Sequence, residues 1–147
     1  MYFNTIDWSQ VDVPANRALY EDAKHYIRIR RSLPGIFEQF PENSRQANIA
    51  KLDTKKNGVP NNLQAYGRFA AGKAVLVVPN YGSQDRAQFE ITPDLAALGL
   101  DARSEYKITD LMTGTALPST IGDNRGRKSF TVPIDGDHPG IYLLEKE

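Results

Sequence analysis

The stretch Tyr106–Gly114, YKITDLMTG, is a short apolar run that ends in Asp, Thr and Gly, which are turn-forming residues. Two further stretches have the same construction: Gly72–Gly82, GKAVLVVPNYG, and Gly140–Glu147, GIYLLEKE. Short apolar runs that are bounded by Gly, Pro, Asn or Asp are typical of β-strands. These three stretches therefore predict a protein built mainly from short strands.

The chain contains seven such runs in all, and together they predict an antiparallel β-sandwich of the Greek-key type with about seven to eight strands. The segments 54–62, 81–85, 121–127 and 135–140 are rich in turn residues and are interpreted as connections. Gly72 is predicted to lie in a tight hairpin. No internal repeat is present, which argues against solenoids and propellers. The predicted strands are Ile49–Asp53, Leu63–Phe69, Ala74–Pro79, Ala87–Ile91, Tyr106–Asp110, Ser129–Ile134 and Ile141–Leu144.

Before the strands, residues 16–33 carry a helical pattern of apolar residues. Asn16 is the predicted N-cap, and Pro34 with Gly35 ends the helix. One amphipathic helix is therefore expected ahead of the sandwich, with a boundary between the two near residues 32–36. The apolar stripe predicted for this helix consists of Leu19, Ala23, Tyr26 and Ile27.

The composition limits the classes of function. The chain has 147 residues, 40% of them apolar, and a formal net charge of zero, which fits a soluble globular protein. The absence of a basic surplus argues against nucleic acid and against a membrane surface as partners. Zero cysteines exclude a disulfide framework, a thiolate zinc site and a cysteine nucleophile. The compartment stays open, with a periplasmic or extracellular location slightly favoured over a cytoplasmic one.

The sequence contains none of the catalytic motifs that can be recognised from residue type and spacing. His25 and His138 are the only imidazoles, and neither lies in a nucleophile-elbow context. No phosphate-binding loop is present, and no two of the 18 acidic residues are singled out as a pair. We therefore predict no catalytic residue, no metal and no cofactor in this chain. A loose calcium site is the alternative for the turn residues Asp123, Asn124, Asp135 and Asp137, but they do not match the twelve-residue calcium loop.

Aromatic side chains offer a different function, because an exposed ring can stack on the face of a sugar. Aromatic residues within strands are more often part of a core. Trp8 and Tyr81 lie in loop-like contexts, so these two are the candidate sugar-binding residues.

The order of these segments resembles a known family. The helix, with the residues Asn16, Leu19, Tyr20, Tyr26, Arg28, Arg31, Leu33 and Pro34, is similar to the last barrel helix of alpha-amylase family glycoside hydrolases. The segments after the helix resemble the C-terminal β-sandwich of that family: LQAYGRF, then VLVVPNYG for the usual VLVVxNxS, then YKITDLMTG for YxxxDLLTG, then FTVPI and GIYLL. The chain departs from the family at Pro34–Ile36, where a Pro-Ala-Leu segment is usual, and at Pro79.

The resemblance implies that residues 1–34 are the end of a catalytic barrel, with its last helix at about 16–33, and that residues 35–147 are the C-terminal sandwich domain. The family's catalytic carboxylates lie upstream, on barrel strands, so the expected function is a non-catalytic module that stabilises the barrel of an enzyme acting on alpha-glucans. The expected partner is the catalytic TIM barrel of the same polypeptide, contacted through the helix face. The alternative is a carbohydrate-binding sandwich with a secondary glucan site. Without a barrel, the helix face is expected to dock on its own sandwich or on a second copy of the chain.

Overall fold

A computed structural model describes residues 7–37, 48–61, 65–80, 86–121, 129–136 and 138–147. The chain divides into two compact units, Met1–Pro34 and Gly35–Glu147, and each is described by itself.

The first unit consists of a short 3-10 helix, Trp8–Asp12, followed by helix α1, Pro14–Ser32. The Asp7 carboxylate caps the 3-10 helix by accepting a hydrogen bond from the Ser9 backbone N–H at 3.0 Å. Hydrogen bonds from the Ser9 hydroxyl, then from the Gln10 amide and the Ser9 N–H, lower the pKa of Asp7.

The predicted helix is present, but the predicted N-cap is wrong. Helix α1 begins at Pro14 with Val13 in the cap position. Proline suits the first helical turn because its missing N–H would have no partner there, so the helix starts two residues before Asn16. The Asn16 side chain instead donates to the Gln10 carbonyl oxygen at 3.0 Å.

The second unit confirms the predicted fold class: it is mainly β, and its strands pair antiparallel in two sheets. The described residues form ten strands rather than seven or eight. The larger sheet has the order β1-β4-β5-β10-β7-β8 and the smaller one the order β3-β2-β6-β9. The strands are β1 Ile49–Lys51, β2 Asp53–Lys56, β3 Val59–Pro60, β4 Tyr66–Ala70, β5 Lys73–Val78, β6 Ala87–Thr92, β7 Tyr106–Asp110, β8 Thr115–Ile121, β9 Phe130–Ile134 and β10 Gly140–Lys146.

The additional strands contain or adjoin turn residues and prolines, so their sequences do not match the strand pattern. The predicted run Ile49–Asp53 is divided at Leu52, where the chain leaves the larger sheet as β1 and enters the smaller one as β2. Within the predicted connection 54–62, Asn57 and Gly58 form the turn of the β2–β3 hairpin. Strand β8 contains Pro118, and it is tolerated because β8 lies at the edge of its sheet.

The core lies between the two sheets, and every second side chain of a strand enters it. Within β5 the core residues are Ala74, Leu76 and Val78, and within β10 they are Tyr142 and Leu144. The turn segment between β6 and β7 contributes three fully or nearly fully buried leucines. These are Leu95, Leu98 and Leu100.

The predicted hairpin around Gly72 is confirmed, and it allows a stability test. Ala71 and Gly72 connect β4 to β5 with φ values of 49° and 75°, while Asn57 and Gly58 connect β2 to β3 with 50° and 81°. Two positive φ values in succession favour Asn-Gly, and a left-handed conformation costs alanine about 1 kcal/mol. We therefore expect Ala71→Asn to stabilise the protein by about 0.5–1 kcal/mol in urea denaturation.

The second hairpin provides the reciprocal control. Asn57→Ala is expected to destabilise the protein by at least as much, because the Asn57 side chain also accepts a hydrogen bond from the Gln88 N–H at 2.9 Å. Equal stability of Ala71→Asn and the parent chain would contradict the assignment of strain to Ala71.

A second test concerns Tyr142, whose ring packs edge-on against Phe130 with centroids 5.7 Å apart. Burial raises the pKa of Tyr142 well above its usual value, and the nearby Asp110 carboxylate raises it further. The folded state thus keeps a proton that the unfolded state releases above about pH 10. The free energy of unfolding should fall with pH above that value, by at most about 1.4 kcal/mol per pH unit from this group.

Guanidinium denaturation between pH 8 and pH 11.5 (roughly the window around the ordinary tyrosine pKa) measures this effect. Tyr142→Phe should reduce the slope relative to that of the parent chain. An unchanged slope in Tyr142→Phe would show that other groups cause the alkaline loss of stability.

Candidate functional site

Of the two predicted sugar-binding residues, Trp8 is exposed and Tyr81 lies outside the described residues. The Trp8 side chain is 67% exposed at the start of the 3-10 helix. An indole in this position is free to stack on the apolar face of a ligand.

The predicted helix face is largely exposed. Leu19 is 71% exposed and Ile27 is 54% exposed, and Ala23 between them is exposed as well. Tyr26 is half-buried, and this burial raises its pKa. Because Leu19, Ala23 and Ile27 are spaced four residues apart, they form one continuous stripe along α1. We call these three residues the exposed stripe.

The side chains on another side of α1 are more buried than the exposed stripe. Ile29 is buried, and Asp22 and His25 are half-buried. These residues recur at i, i+3 and i+7, so they share a helix face that differs from the exposed stripe. The predicted stripe is therefore not the most buried side of helix α1.

The outer face of the larger sheet is an apolar, buried surface that the sequence analysis missed. Val75 on β5 and Leu143 on β10 point away from the core, yet they are 0% and 7% exposed. They face each other across the two strands, as do Val77 and Ile141. A sandwich sheet usually has one polar face, whereas a sheet that is buried on both faces has almost continuous apolar strands.

The signal for this outer face was present in the sequence. VLVV at 75–78 and IYLL at 141–144 are continuous apolar runs, whereas FTVPI at 130–134 alternates. The burial of each run follows this difference: four successive residues of β10 are buried, while every second residue of β9 is exposed. We call Val75, Val77, Ile141 and Leu143 the outer apolar patch.

Charged residues border the outer apolar patch on one side. Lys73 on β5 forms an ion pair with Glu145 on β10, and Lys107 on β7 lies 3.9 Å from the same carboxylate. All three residues lie beyond one end of the patch and are next to one another across the sheet. The outer apolar patch therefore ends in a charged border on that side.

The segment that enters the second unit lies against β4, which is next to β5 in the larger sheet. Ile36 is buried, and its carbonyl oxygen accepts a hydrogen bond from the Asn48 amide at 3.2 Å. The Arg68 guanidinium donates to the Asn48 side-chain oxygen at 3.0 Å and lies 5.6 Å from the centre of the Phe37 ring. Ile36 and Phe37 are thus linked to β4 through Asn48 and Arg68.

A cavity of about 230 Å³ lies on the second unit where β1 passes into β2. Its charged side chains include Lys55, which is paired with Glu90 at 3.0 Å. The cavity is open and combines both charge signs, so it indicates no particular ligand. Its lining consists of Lys51, Leu52, Asp53, Thr54, Lys55, Pro60, Asn61 and Thr92.

The described residues show no catalytic or metal-binding arrangement. They contain no group of three or more His, Cys, Asp or Glu residues that could hold a metal ion. Of the four candidate calcium ligands, three lie outside the described residues: Asp123, Asn124 and Asp137. Lys55 lowers the pKa of Glu90, and the Arg103 N–H lowers that of Asp101, which is opposite to the shift that a general acid requires.

Within the described part of the chain, no helix is long and apolar enough to span a membrane. A comparison with protein-family models finds no match, and a comparison with curated proteins finds none either.

Proposed function

We propose that the chain is the non-catalytic C-terminal module of an alpha-amylase-like glycoside hydrolase that acts on alpha-glucans, and that it stabilises the catalytic barrel of the same polypeptide. The proposal is supported by the order of helix and sandwich together with the segments that resemble the family. Of these segments, VLVVPN lies on and directly after β5, and YKITD forms β7, next to β10 in the larger sheet.

The observation that carries the proposal is the exposure of apolar side chains along α1, at Leu19 and Ile27. The exposed stripe of α1 favours contact with another protein body. A module with a structural role needs such an apolar surface to contact its barrel.

The test is the reading frame upstream of the codon for Met1, followed by expression of the encoded enzyme with and without residues 35–147. We expect a barrel of about 250 residues with carboxylates at the ends of its strands. The barrel without residues 35–147 should unfold at a lower temperature than the whole enzyme. Its catalytic carboxylates should be the same, because they lie in the barrel. An upstream frame that encodes no such barrel, or a barrel whose stability is unaffected by the deletion, would overturn the proposal.

Sugar binding is the second candidate function, because Trp8 is exposed. Trp8 is the single tryptophan of the chain, so tryptophan fluorescence reports on this position alone. Titration with maltooligosaccharides should change the fluorescence, and a β-linked glucan of equal length is the control ligand. Calorimetry with Trp8→Ala should then show no binding, whereas an unchanged fluorescence at millimolar sugar would exclude Trp8 from a glucan site.

A further inference from the structure

The β2–β3 hairpin contains the single Asn-Gly pair of the chain, Asn57 followed by Gly58. We propose that Asn57 is a site of spontaneous modification, at which the Gly58 nitrogen displaces ammonia from the side-chain amide, and that local opening of this hairpin controls the rate. The inference goes beyond the proposed function and does not rest on it, because it concerns a turn of the second unit and needs neither a barrel nor a sugar.

The reaction needs only the chain and water. The Gly58 nitrogen loses its proton to solvent and forms a bond to Asn57 Cγ, while the bond from Cγ to the amide nitrogen breaks and that nitrogen takes up a proton and leaves as ammonia. Water then opens the five-membered ring: addition at Cγ gives aspartate, and addition at the main-chain carbonyl carbon gives isoaspartate. Glycine favours ring closure because it has no Cβ to obstruct its nitrogen.

Both residues of the turn are accessible to water. Asn57 and Gly58 are exposed, and a Cβ built on Gly58 would meet nothing within 4 Å beyond its chain neighbours in the part of the chain that the structure describes. The surrounding protein therefore blocks neither the loss of the proton nor the entry of water.

The closed hairpin holds the reacting atoms apart. Lys56 pairs with Val59, so the turn has two residues, and their positive φ values of 50° and 81° make it type I′. The first residue of this turn type has ψ of about +30°, which places the next nitrogen on the far side of the Cα–C bond from Cβ. Ring closure needs the two atoms nearly eclipsed, so ψ of Asn57 must rotate by roughly 150° from its value in the turn. The hairpin must open for this rotation.

Two hydrogen bonds to Gln88 on β6 add to this restraint. The Asn57 N–H donates to the Gln88 carbonyl oxygen at 2.7 Å. The Asn57 side-chain oxygen accepts from the Gln88 N–H at 2.9 Å, which holds the side-chain carbonyl against β6. The second bond must break before Cγ can meet the Gly58 nitrogen.

The hairpin is small enough to open while the rest of the sandwich stays folded. Strand β3 consists of two exposed residues at the edge of the smaller sheet. It forms two residue pairs with β2, followed by one hydrogen bond from the Asn61 N–H to the Thr54 carbonyl oxygen at 2.8 Å. Segments with few buried contacts open at free energies well below that of global unfolding. Modification is therefore expected within the folded population.

Modification makes the opening permanent. Isoaspartate carries the main chain through Cβ and adds one methylene group, so the two-residue turn between Lys56 and Val59 cannot form again. Either product also adds one negative charge to a chain whose formal net charge is zero. Strand β3 is thus expected to remain detached in the isoaspartate form.

Peptide mapping by mass spectrometry tests the site, with isoaspartyl methyltransferase labelling to identify isoaspartate. The full chain is incubated at mildly alkaline pH, once in buffer and once unfolded in concentrated urea. In urea we expect Asn57 to react before any other asparagine. In buffer the reaction at Asn57 should be about 10- to 100-fold slower than in urea, because it waits for the hairpin to open.

The β4–β5 hairpin provides a matched control. Ala71 and Gly72 have φ values of 49° and 75°, close to those of Asn57 and Gly58, but they connect two interior strands that form five residue pairs. Ala71→Asn therefore places the same dipeptide in a hairpin that opens less often. In urea, position 71 of Ala71→Asn should react as fast as Asn57, whereas in buffer it should react clearly more slowly.

A second pair of variants changes the opening and leaves the reacting residues intact. Val59→Gly weakens β3, so it should accelerate modification of Asn57 in buffer by about fivefold. Thr115→Gly removes an exposed β-branched residue from β8, an edge strand of the larger sheet, and should leave the rate at Asn57 unchanged. Neither variant should change the rate in urea.

Four results would overturn the inference. They are equal rates at Asn57 in buffer and in urea, a rate in buffer that equals the urea rate multiplied by the equilibrium constant for global unfolding, equal acceleration by Val59→Gly and Thr115→Gly, and equal rates at position 71 of Ala71→Asn and at Asn57 in buffer. None of these results bears on the upstream barrel, so failure here is distinct from failure of the proposed function.

Discussion

Gly67→Ala is expected to destabilise the second unit by about 2 kcal/mol, because the added methyl group has no space in the core. A Cβ on Gly67 would overlap the Leu98 side chain and would lie 3.2 Å from Leu76 Cδ2. Both leucines are fully buried, so neither can move aside without displacing its own neighbours. The free energy of unfolding from urea denaturation measures the effect.

A double variant separates packing from other causes. Leu98→Val shortens the side chain that the new methyl group meets, so Gly67→Ala should cost clearly less in the Leu98→Val background than in the parent chain. Equal costs in both backgrounds, or a Gly67→Ala variant as stable as the parent, would contradict the close approach of β4 to Leu98.

Leu143→Ala should cost about 2–4 kcal/mol, nearly as much as Leu144→Ala, although the two side chains point to opposite faces of the larger sheet. Leu144 belongs to the core, and Leu143 belongs to the outer apolar patch but is only 7% exposed. On a sandwich with a solvated outer face, the loss at Leu143 would be less than about 0.5 kcal/mol. This comparison therefore measures how much the outer apolar patch contributes to stability.

Thr131→Ala is the control for this comparison, since Thr131 is exposed on the smaller sheet. It should change the free energy of unfolding by no more than about 0.5 kcal/mol. If Leu143→Ala falls in the same range, the outer face of the larger sheet does not contribute to stability as a second buried face.

Sequence patterns were sufficient to predict the fold class, because the helical apolar pattern and the short strand-like apolar runs were both clear. Tyr106–Asp110 has the same bounds in the prediction and in the structure, since its alternating residues are enclosed by turns. Helix α1 was predicted from its apolar stripe, but its beginning was displaced because Pro14 can start a helix without a side-chain cap.

The features that escaped prediction depend on contacts between distant segments. The direction in which Val75 and Leu143 point follows from the register of β5 with β10, which the separate runs do not contain. Strand β8 has too few apolar residues to be recognised, and it forms because Lys107 and Thr109 on β7 offer it a paired edge. Three of the four residues predicted for the helix stripe, Leu19, Ala23 and Ile27, are exposed, and a surface that would cover them has no trace in the helix pattern.

Prolines on the sheet edges have a consequence for how the module behaves at high concentration. Of the four edge strands in the described sheets, β3, β8 and β9 contain Pro60, Pro118 and Pro133, and β1 has only three residues. Proline has no N–H to donate, so a foreign strand cannot continue an unbroken ladder along these edges. The sandwich is therefore poorly suited to growth into fibrils by edge pairing. This holds even in a concentrated sample, or in one in which proteolysis has removed adjacent parts of the polypeptide.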